Sequence, residues 1–343
     1  MPIDRRRFTS AAAALLVLGP RAASAQAPWT KVRVGYIGIL SDAPIFIAIE
    51  KGYFRAQSID VELVRFTSAG DTIPLLATGQ LEVSGGGISP AIFSAAARNF
   101  PVRIVADRGS MPKGHGFNVF VARKDLYDNG TLKSARDLRG RTVAITEATS
   151  VLYYELAMLL NSAGLKLSDV EPVYLAVPDT PTALANGKVD ASIIVEPFAT
   201  SCEIRNIAKI VTPMDQVTPN LQNSCIFFSE VFGGKQNRAA VGWMAAYLQA
   251  IRDYHAALRA PDSPAFADLV TTCSKYTSVK DPNLYAKMIW PGLSDDGVPN
   301  VKNVMQQQDF WVAQASVEQR AAADRLFDLS YLKAAKRLLG GRA

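Results

Sequence analysis

VRVGYIGILSDAPIFIAIEKGYFRAQSIDVELV, residues 32–64, reads as a strand, a helix and a second strand. Val32, Val34 and Tyr36 alternate with small or polar residues, and Gly38 ends the run. Pro44 suits a first helical position, where a missing N–H costs nothing. Ile45, Ile49 and Tyr53 then share one helical face, Gly52 and the Gln57-Ser58 pair close it, and Ile59, Val61 and Leu63 alternate as the next strand. The result is a parallel β-α-β unit. Its first junction, Ile39 to Asp42, leaves free backbone N–H groups at a helix start, a candidate ligand-binding edge.

Working outward, the pattern repeats. Residues 70–79 read as a short helix, Leu81 and Val83 as a strand, Gly85-Gly86-Gly87 as a junction, Ser89-Pro90 as a capped helix start and Val102–Val105 as a fourth strand. Residues 109–116, GSMPKGHG, read as a crossover into an extended run, Phe117 to Arg123. A second series begins at Leu138: strand 142–145, helix 151–161, strand 172–175, helix 182–186, strand 191–195, the Glu196-Pro197 helix start and strand 207–211. After the polar loop 215–223, strand 224–228 returns to the first series. From Arg238 the signals are helical, with Met244, Leu248, Ile251, His255 and Leu258 on one stripe and a last helix carrying Leu326, Leu329, Leu332 and Leu339. The expectation is an α/β fold of two lobes, each a mainly parallel sheet flanked by helices. Residues 28–115 and 224–343 form lobe 1, residues 116–223 form lobe 2, and two hinge crossings join them.

Residues 1–25 read as a secretion signal: Arg5-Arg6-Arg7-Phe8, an apolar run from Ala11 to Gly19, and small residues at Ala23-Ser24-Ala25, with cleavage near Ala25. The arginine pair with Phe8 is twin-arginine-like, although Asp4 stands where Ser or Thr is usual, so general secretion stays open. The apolar run is far short of the roughly 20 residues that span a bilayer. The formal charge of +6 includes the signal's arginines, and no basic block marks a nucleic-acid surface. Cys202, Cys225 and Cys273 are too few and too far apart for a zinc spacing. Three buried thiols is the simpler reading, and a Cys202–Cys225 disulfide is the alternative.

Four junctions place a proline at a helix start just after a strand end: Asp42-Ala43-Pro44, Ser89-Pro90, Thr180-Pro181 and Glu196-Pro197. Such ends collect along one edge of an open sheet, so the cleft between the lobes is expected to be lined by residues 39–42, 86–89, 146–150, Asp179 and Glu196. Glu196 closes a fully apolar strand and is held at the sheet edge, whereas Asp179 reads as a plain helix cap. An acidic lining favours donors such as amines or amides, while Arg108 suits a sulfonate or carboxylate. Tyr153 or Tyr154 faces either cleft or core. Neither His115 nor His255 has a Ser or Cys nucleophile at a recognisable spacing, and GGGIS at Gly85 is neither a P-loop nor GxGxxG. The site therefore reads as a grip without catalytic groups, metal or cofactor.

The run from Gly35 to Val64 with AIEKGYFR and IDVEL, LATG at Leu76, LRGRTVAI at Leu138 and ALANGKVDASIIVEPF at Ala183 resemble the solute-binding proteins of nitrate, sulfonate and taurine importers and the NMT1/THI5-like group. The resemblance spans residues 32–211 and implies a monomeric periplasmic receptor with the two-lobed type II binding fold. Such a receptor closes on a small polar molecule, a sulfonate or pyrimidine-like compound, and presents it to a membrane permease with its ATPase. By family position the implied contacts are Leu40, Ser41, Asp42, Gly86, Gly87, Ser89, Arg108, Ser110, Thr146, Thr149, Ser150 and Glu196, and Tyr153 is added from the residue reading. The strand-one end, ILSDAP, lacks the aromatic that some relatives stack on a ring. The group also holds pyrimidine-synthesising enzymes with a cysteine-rich motif that this chain lacks. A ligand-sensing subunit of a membrane receptor is a further alternative.

Overall fold

The computed structural model describes residues 29–234 and 237–340, and the expected secretion signal lies outside them. In chain order the strands are β1 (Thr30–Tyr36), β2 (Ile59–Arg65), β3 (Val83–Gly87), β4 (Val102–Met111), β5 (Asn118–Arg123), β6 (Thr142–Ile145), β7 (Glu171–Tyr174), β8 (Ala191–Val195), β9 (Ala208–Pro213) and β10 (Leu221–Ser229). They form two five-stranded sheets, β2-β1-β3-β10-β4 and β7-β6-β8-β5-β9. β1 runs parallel to β2 and β3, and β6 parallel to β7 and β8. β10 is antiparallel to both its neighbours, and so is β5. These two reversed strands are the ones that follow each crossing between the sheets.

Apolar periodicity sets the packing. In the helix Arg238–Leu258 the predicted stripe puts Met244, Leu248 and Ile251 in the lobe 1 core, beside Trp243 and Tyr247. His255 and Leu258, at the end of that stripe, are half-buried. In lobe 2, Val119 and Val121 of β5 pack with Ala144, Ile194 and Cys202. The two crossings touch, since the Gly114 N–H donates to the Asp215 carboxylate at 2.7 Å. A side chain at Gly116 would overlap that carboxylate, so the hinge needs glycine there.

Several elements differ from the sequence reading. β4 continues to Met111, so Gly109 and Ser110 are strand and the crossover is shorter than residues 109–116. Gly85, Gly86 and Gly87 are not a junction but the body of β3, paired with Ile226, Cys225 and Ser224. The first helix is Ala43–Glu50, because Gly52 turns left-handed at φ 71° and places Tyr53 on a separate short helix. The last helix is likewise two, Ala323–Leu326 and Ser330–Leu338. Between them Phe327 bridges to Ile104, and the Asp328 N–H donates to the Ile104 carbonyl at 3.0 Å. A sheet-edge hydrogen bond thus outweighs the continuous leucine spacing.

Cys202 lies in the lobe 2 helix Phe198–Ile204 and Cys225 in β10 of lobe 1; all three cysteines are buried free thiols. This corrects the disulfide alternative. Burial pushes the Cys202 thiol up to about 12 and raises the other two thiols as well. The native protein is therefore expected to resist a thiol reagent at neutral pH and to release three equivalents once unfolded without reductant. Fewer than three on unfolding would contradict this arrangement.

Candidate functional site

The carboxyl ends of β1, β2 and β3 in lobe 1 face the corresponding ends of β6 and β8 and the start of β5 in lobe 2. Two adjoining cavities fill the gap. An inner chamber of about 140 Å³ reaches Ser89, Arg108, Asn118, Ser150 and Asn223. An outer chamber of about 420 Å³ reaches Leu40, Arg65, Glu196 and Phe198. Both touch Ile37, Ile39, Thr67, Ser68, Thr146 and Glu147. Between them the Ser68 hydroxyl of lobe 1 donates to the Glu147 carboxylate of lobe 2 at 3.1 Å, a polar contact across the cleft.

The junction after β1 is not the open helix end that the sequence suggests. The Asp42 carboxylate Oδ2 accepts from the N–H groups of Ile37, Gly38 and Ile39, at 3.2, 2.9 and 3.3 Å, and so occupies that end itself. Its Oδ1 accepts from Arg108 Nε at 2.8 Å and Nη2 at 2.6 Å. Both side chains are 0% exposed. Asp42 therefore anchors Arg108 and does not line either chamber. Two of the guanidinium nitrogens are thereby held, while Nη1 is buried with no protein partner and Arg108 lines the inner chamber. Such a donor, held rigidly by a charge partner, suits an anionic oxygen.

The glycines of β3 make room for this arrangement. A Cβ on Gly85 would stand 2.6 Å from Arg108 Cδ, and one on Gly86 would overlap Ala69. Gly86 thus packs against lobe 1 and does not line the chamber, whereas Gly87 does, with only ordinary contacts at 3.8 Å around the place of its absent side chain. Ser89, Thr146 and Ser150 also line the inner chamber. Ser150 additionally caps its helix by accepting from the Tyr153 N–H at 3.3 Å.

Other expected contacts lie elsewhere. Ser41 is buried outside both chambers, Thr149 and Asp179 are exposed, and Ser110 bonds to Asp107 at 3.2 Å beside a separate surface pocket. Tyr153 stacks on Trp311 at 6.1 Å, and Tyr154 meets Phe310 edge-on at 5.1 Å. These tyrosines therefore join lobe 2 to the helix Val301–Ala313 of the other lobe. Neither histidine lines a chamber, and His115 Nδ1 sits 2.9 Å from the Trp290 carbonyl. Sequence reasoning missed Asn118 and Asn223. Their available signal was a polar side chain placed where an apolar strand meets a crossing, in FNVF and NSCIFF.

Glu196 borders the outer chamber but is only 2% exposed, and both its oxygens are engaged. Oε2 accepts from the Thr200 N–H at 3.0 Å, and Oε1 from the Thr200 hydroxyl at 2.8 Å and the Ile289 N–H of lobe 1 at 3.4 Å. Burial raises its carboxyl above the usual range, and the bonds from Thr200 oppose that rise. It reads as a helix cap that also ties the lobes, not as a group reserved for ligand. Glu196→Ala is expected to lower the stability of the ligand-free protein by about 1 kcal/mol, as a lost cap does, in urea unfolding. A stable variant with sharply weaker ligand binding would instead place Glu196 in the grip.

The sequence pattern described as NMT1/THI5 like matches residues 41–262. The chain belongs to the NMT1/THI5-like family. A candidate aliphatic sulfonates-binding protein of Escherichia coli K12 is 26% identical over 244 residues, which cover 70% of this chain and 72% of that one. A 4-amino-5-hydroxymethyl-2-methylpyrimidine phosphate synthase of Saccharomyces cerevisiae is 26% identical over 155 residues, 45% of this chain and 42% of that one. Among solved structures, the periplasmic nitrate-binding protein NrtA from Synechocystis PCC 6803 superposes with a TM-score of 0.74 at 13% identity, covering 91% of this chain and 89% of that one. The periplasmic aliphatic sulphonate-binding protein SsuA from Escherichia coli does so with 0.70 at 19%, covering 87% and 92%. The desulfurization enzyme DSZB shares the architecture at 0.63 and 15%, covering 90% and 99%. The NMT1/THI5-like chain thus has the two-lobed α/β fold of these binding proteins. Among its described residues no helix is long and apolar enough to cross a membrane.

Proposed function

We propose that this NMT1/THI5-like protein is a monomeric periplasmic receptor. It captures a small organic anion, a sulfonate or a carboxylate, between its lobes and delivers it to the permease and ATPase of an ABC importer. One observation carries the reading: Arg108, whose Nη1 is buried and without a protein partner, lines a chamber between the two sheets. An anion there would accept from Nη1, while Ile37, Ile88 and Phe117 offer apolar surface to a short carbon chain and the outer chamber holds any longer tail. Ser89, Thr146, Ser150 and the N–H groups beside them are the further contacts within reach of the inner chamber. The sulfonate class gains support from the Escherichia coli relative. The receptor reading, as against an enzyme, gains support from the same relative, a binding protein.

A thermal-shift screen across alkanesulfonates, carboxylates, nitrate and pyrimidines tests it. A ligand that binds only the folded state, present at a hundred times its Kd, adds about 2.7 kcal/mol of stability. The reading expects a marked rise in Tm with at least one anion class and no turnover of that compound. No response from any class, or conversion of a compound to product, would contradict it.

A further inference from the structure

We propose that Glu155 is a proton-dependent positioning residue of the inner chamber, whose carboxyl group sets which end of the Asn118 amide faces the ligand; the ligand-facing part rests on the receptor reading above. Glu155 lies in the helix Val151–Ser162 and is 0% exposed. Its only hydrogen-bond partner among the described residues is Asn118, whose Nδ2 donates to Oε2 at 2.5 Å, and Oε1 has none. Asn118 opens β5, is 1% exposed, lines the inner chamber, and its second amide atom is also without a protein partner. One buried amide thus stands between a buried acid and the chamber.

The two ends of an amide have the same shape and opposite polarity. An ionised Glu155 can only accept, so it holds the NH2 end and turns the carbonyl of Asn118 toward the chamber. A neutral Glu155 can donate its O–H to that carbonyl, which turns the NH2 end toward the chamber. With the acid neutral, Asn118 offers a donor to an anion already held by Arg108 Nη1. With it ionised, the carbonyl meets the anion's own oxygens. Burial pushes the Glu155 carboxyl from 4.5 up to about 8, so the neutral form prevails at neutral pH.

Among the described residues nothing charged compensates an ionised Glu155. Of the segments packed on its helix, residues 135–138 carry Arg136 and Asp137, residues 167–169 carry Asp169, the helix Val301–Ala313 carries Lys302 and Asp309, both exposed, and β8 carries no titratable side chain. Asp137 bonds to Lys133 and Ser134, and Asp169 to Lys166 and Arg139. Arg123, at the far end of β5, pairs with Asp125, and Tyr154 is the adjacent phenol. On the chamber walls Arg108 is held by Asp42 and Glu147 by Ser68. Because the folded group binds its proton more tightly than the unfolded one, its contribution to stability is full below about pH 4.5 and is lost as pH rises to about 8.

Carboxyl-carbon NMR of glutamate-labelled, ligand-free protein tests this without any ligand. One resonance, absent in Glu155→Gln, is expected at the protonated position at pH 7 and to titrate near pH 8, with the Asn118 side-chain amide pair moving in step. A Glu155 signal already ionised at pH 6, or an Asn118 amide that ignores the titration, overturns the proposal; the amide pair still decides it if the variant does not fold. With propane-1-sulfonate as probe, Kd is expected to be flat from pH 6 to 7.5 and to rise about tenfold per pH unit above 8, one proton being taken from solvent per anion bound. Glu155→Gln, whose amide also donates to Asn118, is expected to abolish that rise. A wild-type Kd independent of pH up to 10 also overturns the proposal. Failure of propane-1-sulfonate to bind at pH 6 would count against the sulfonate reading alone, leaving the ligand-free titration to decide on Glu155.

Discussion

Asp42→Ala is expected to destabilise the protein by about 3–5 kcal/mol, because it removes one partner of a fully buried ion pair and leaves the other uncompensated. Arg108 would keep its charge at 0% exposure with no carboxylate at Nε and Nη2, and the Ile37, Gly38 and Ile39 amides would lose their common acceptor. A lost helix cap alone would cost only about 1 kcal/mol. Denaturant unfolding separates the two, and the double variant Asp42→Ala/Arg108→Met sharpens the test. It removes both charges together and is expected to cost clearly less than the sum of the single substitutions. Additive losses, or a single loss near 1 kcal/mol, would mean that the pair is not a coupled unit.

Gly85→Ala is expected to act on stability and binding together. The added methyl would stand 2.6 Å from Arg108 Cδ and closer still to Nε, so either β3 or the guanidinium must shift. Overpacking of this kind costs about 1–3 kcal/mol. A displaced Arg108 also withdraws Nη1 from the chamber, and loss of a hydrogen bond to a charged group weakens anion binding by about 1.5–3 kcal/mol, some ten- to hundredfold. Gly87→Ala is the control for stability. Its methyl meets only the Asn223 carbonyl and Val151 at 3.8 Å, so the unfolding midpoint is expected to stay near that of the unsubstituted protein. Calorimetry with an anion found by the thermal screen reads the binding. Equal tolerance at positions 85 and 87 would contradict the packing of Arg108 across β3.

The parts of this molecule that are local in sequence were legible there. The strand-helix-strand opening, the return of the chain to the first sheet and the buried stripe of the helix Arg238–Leu258 follow from alternation and helical spacing, because those patterns depend on neighbours a few residues apart. Arg108, Ser150 and Thr146 could be placed near the cleft because strand ends of a parallel sheet share one edge. What could not be read depends on partners far apart in the chain. Asp42 meets Arg108 across 66 residues, and that meeting converts an apparent anion-binding amide end into the support of a cation. The glycine run at residues 85–87 looked like a turn because glycine favours turns; Arg108 packed from β4 explains Gly85 and Ala69 explains Gly86, contacts invisible in the local pattern. Tyr153 and Tyr154 gave no sign of facing Phe310 and Trp311, which are supplied by the carboxy-terminal part of lobe 1. Asn118 was passed over because one polar residue opening an apolar strand is common, and only the buried Glu155 behind it gives it meaning.

A crystal structure of the protein with the tightest anion from the thermal screen tests the central claim most directly. The account predicts that the anionic group lies in the inner chamber with an oxygen about 3 Å from Arg108 Nη1, between lobes bridged by Ser68 and Glu147. A ligand bound outside the cleft, or one in the cleft that leaves Nη1 without a partner, would contradict it.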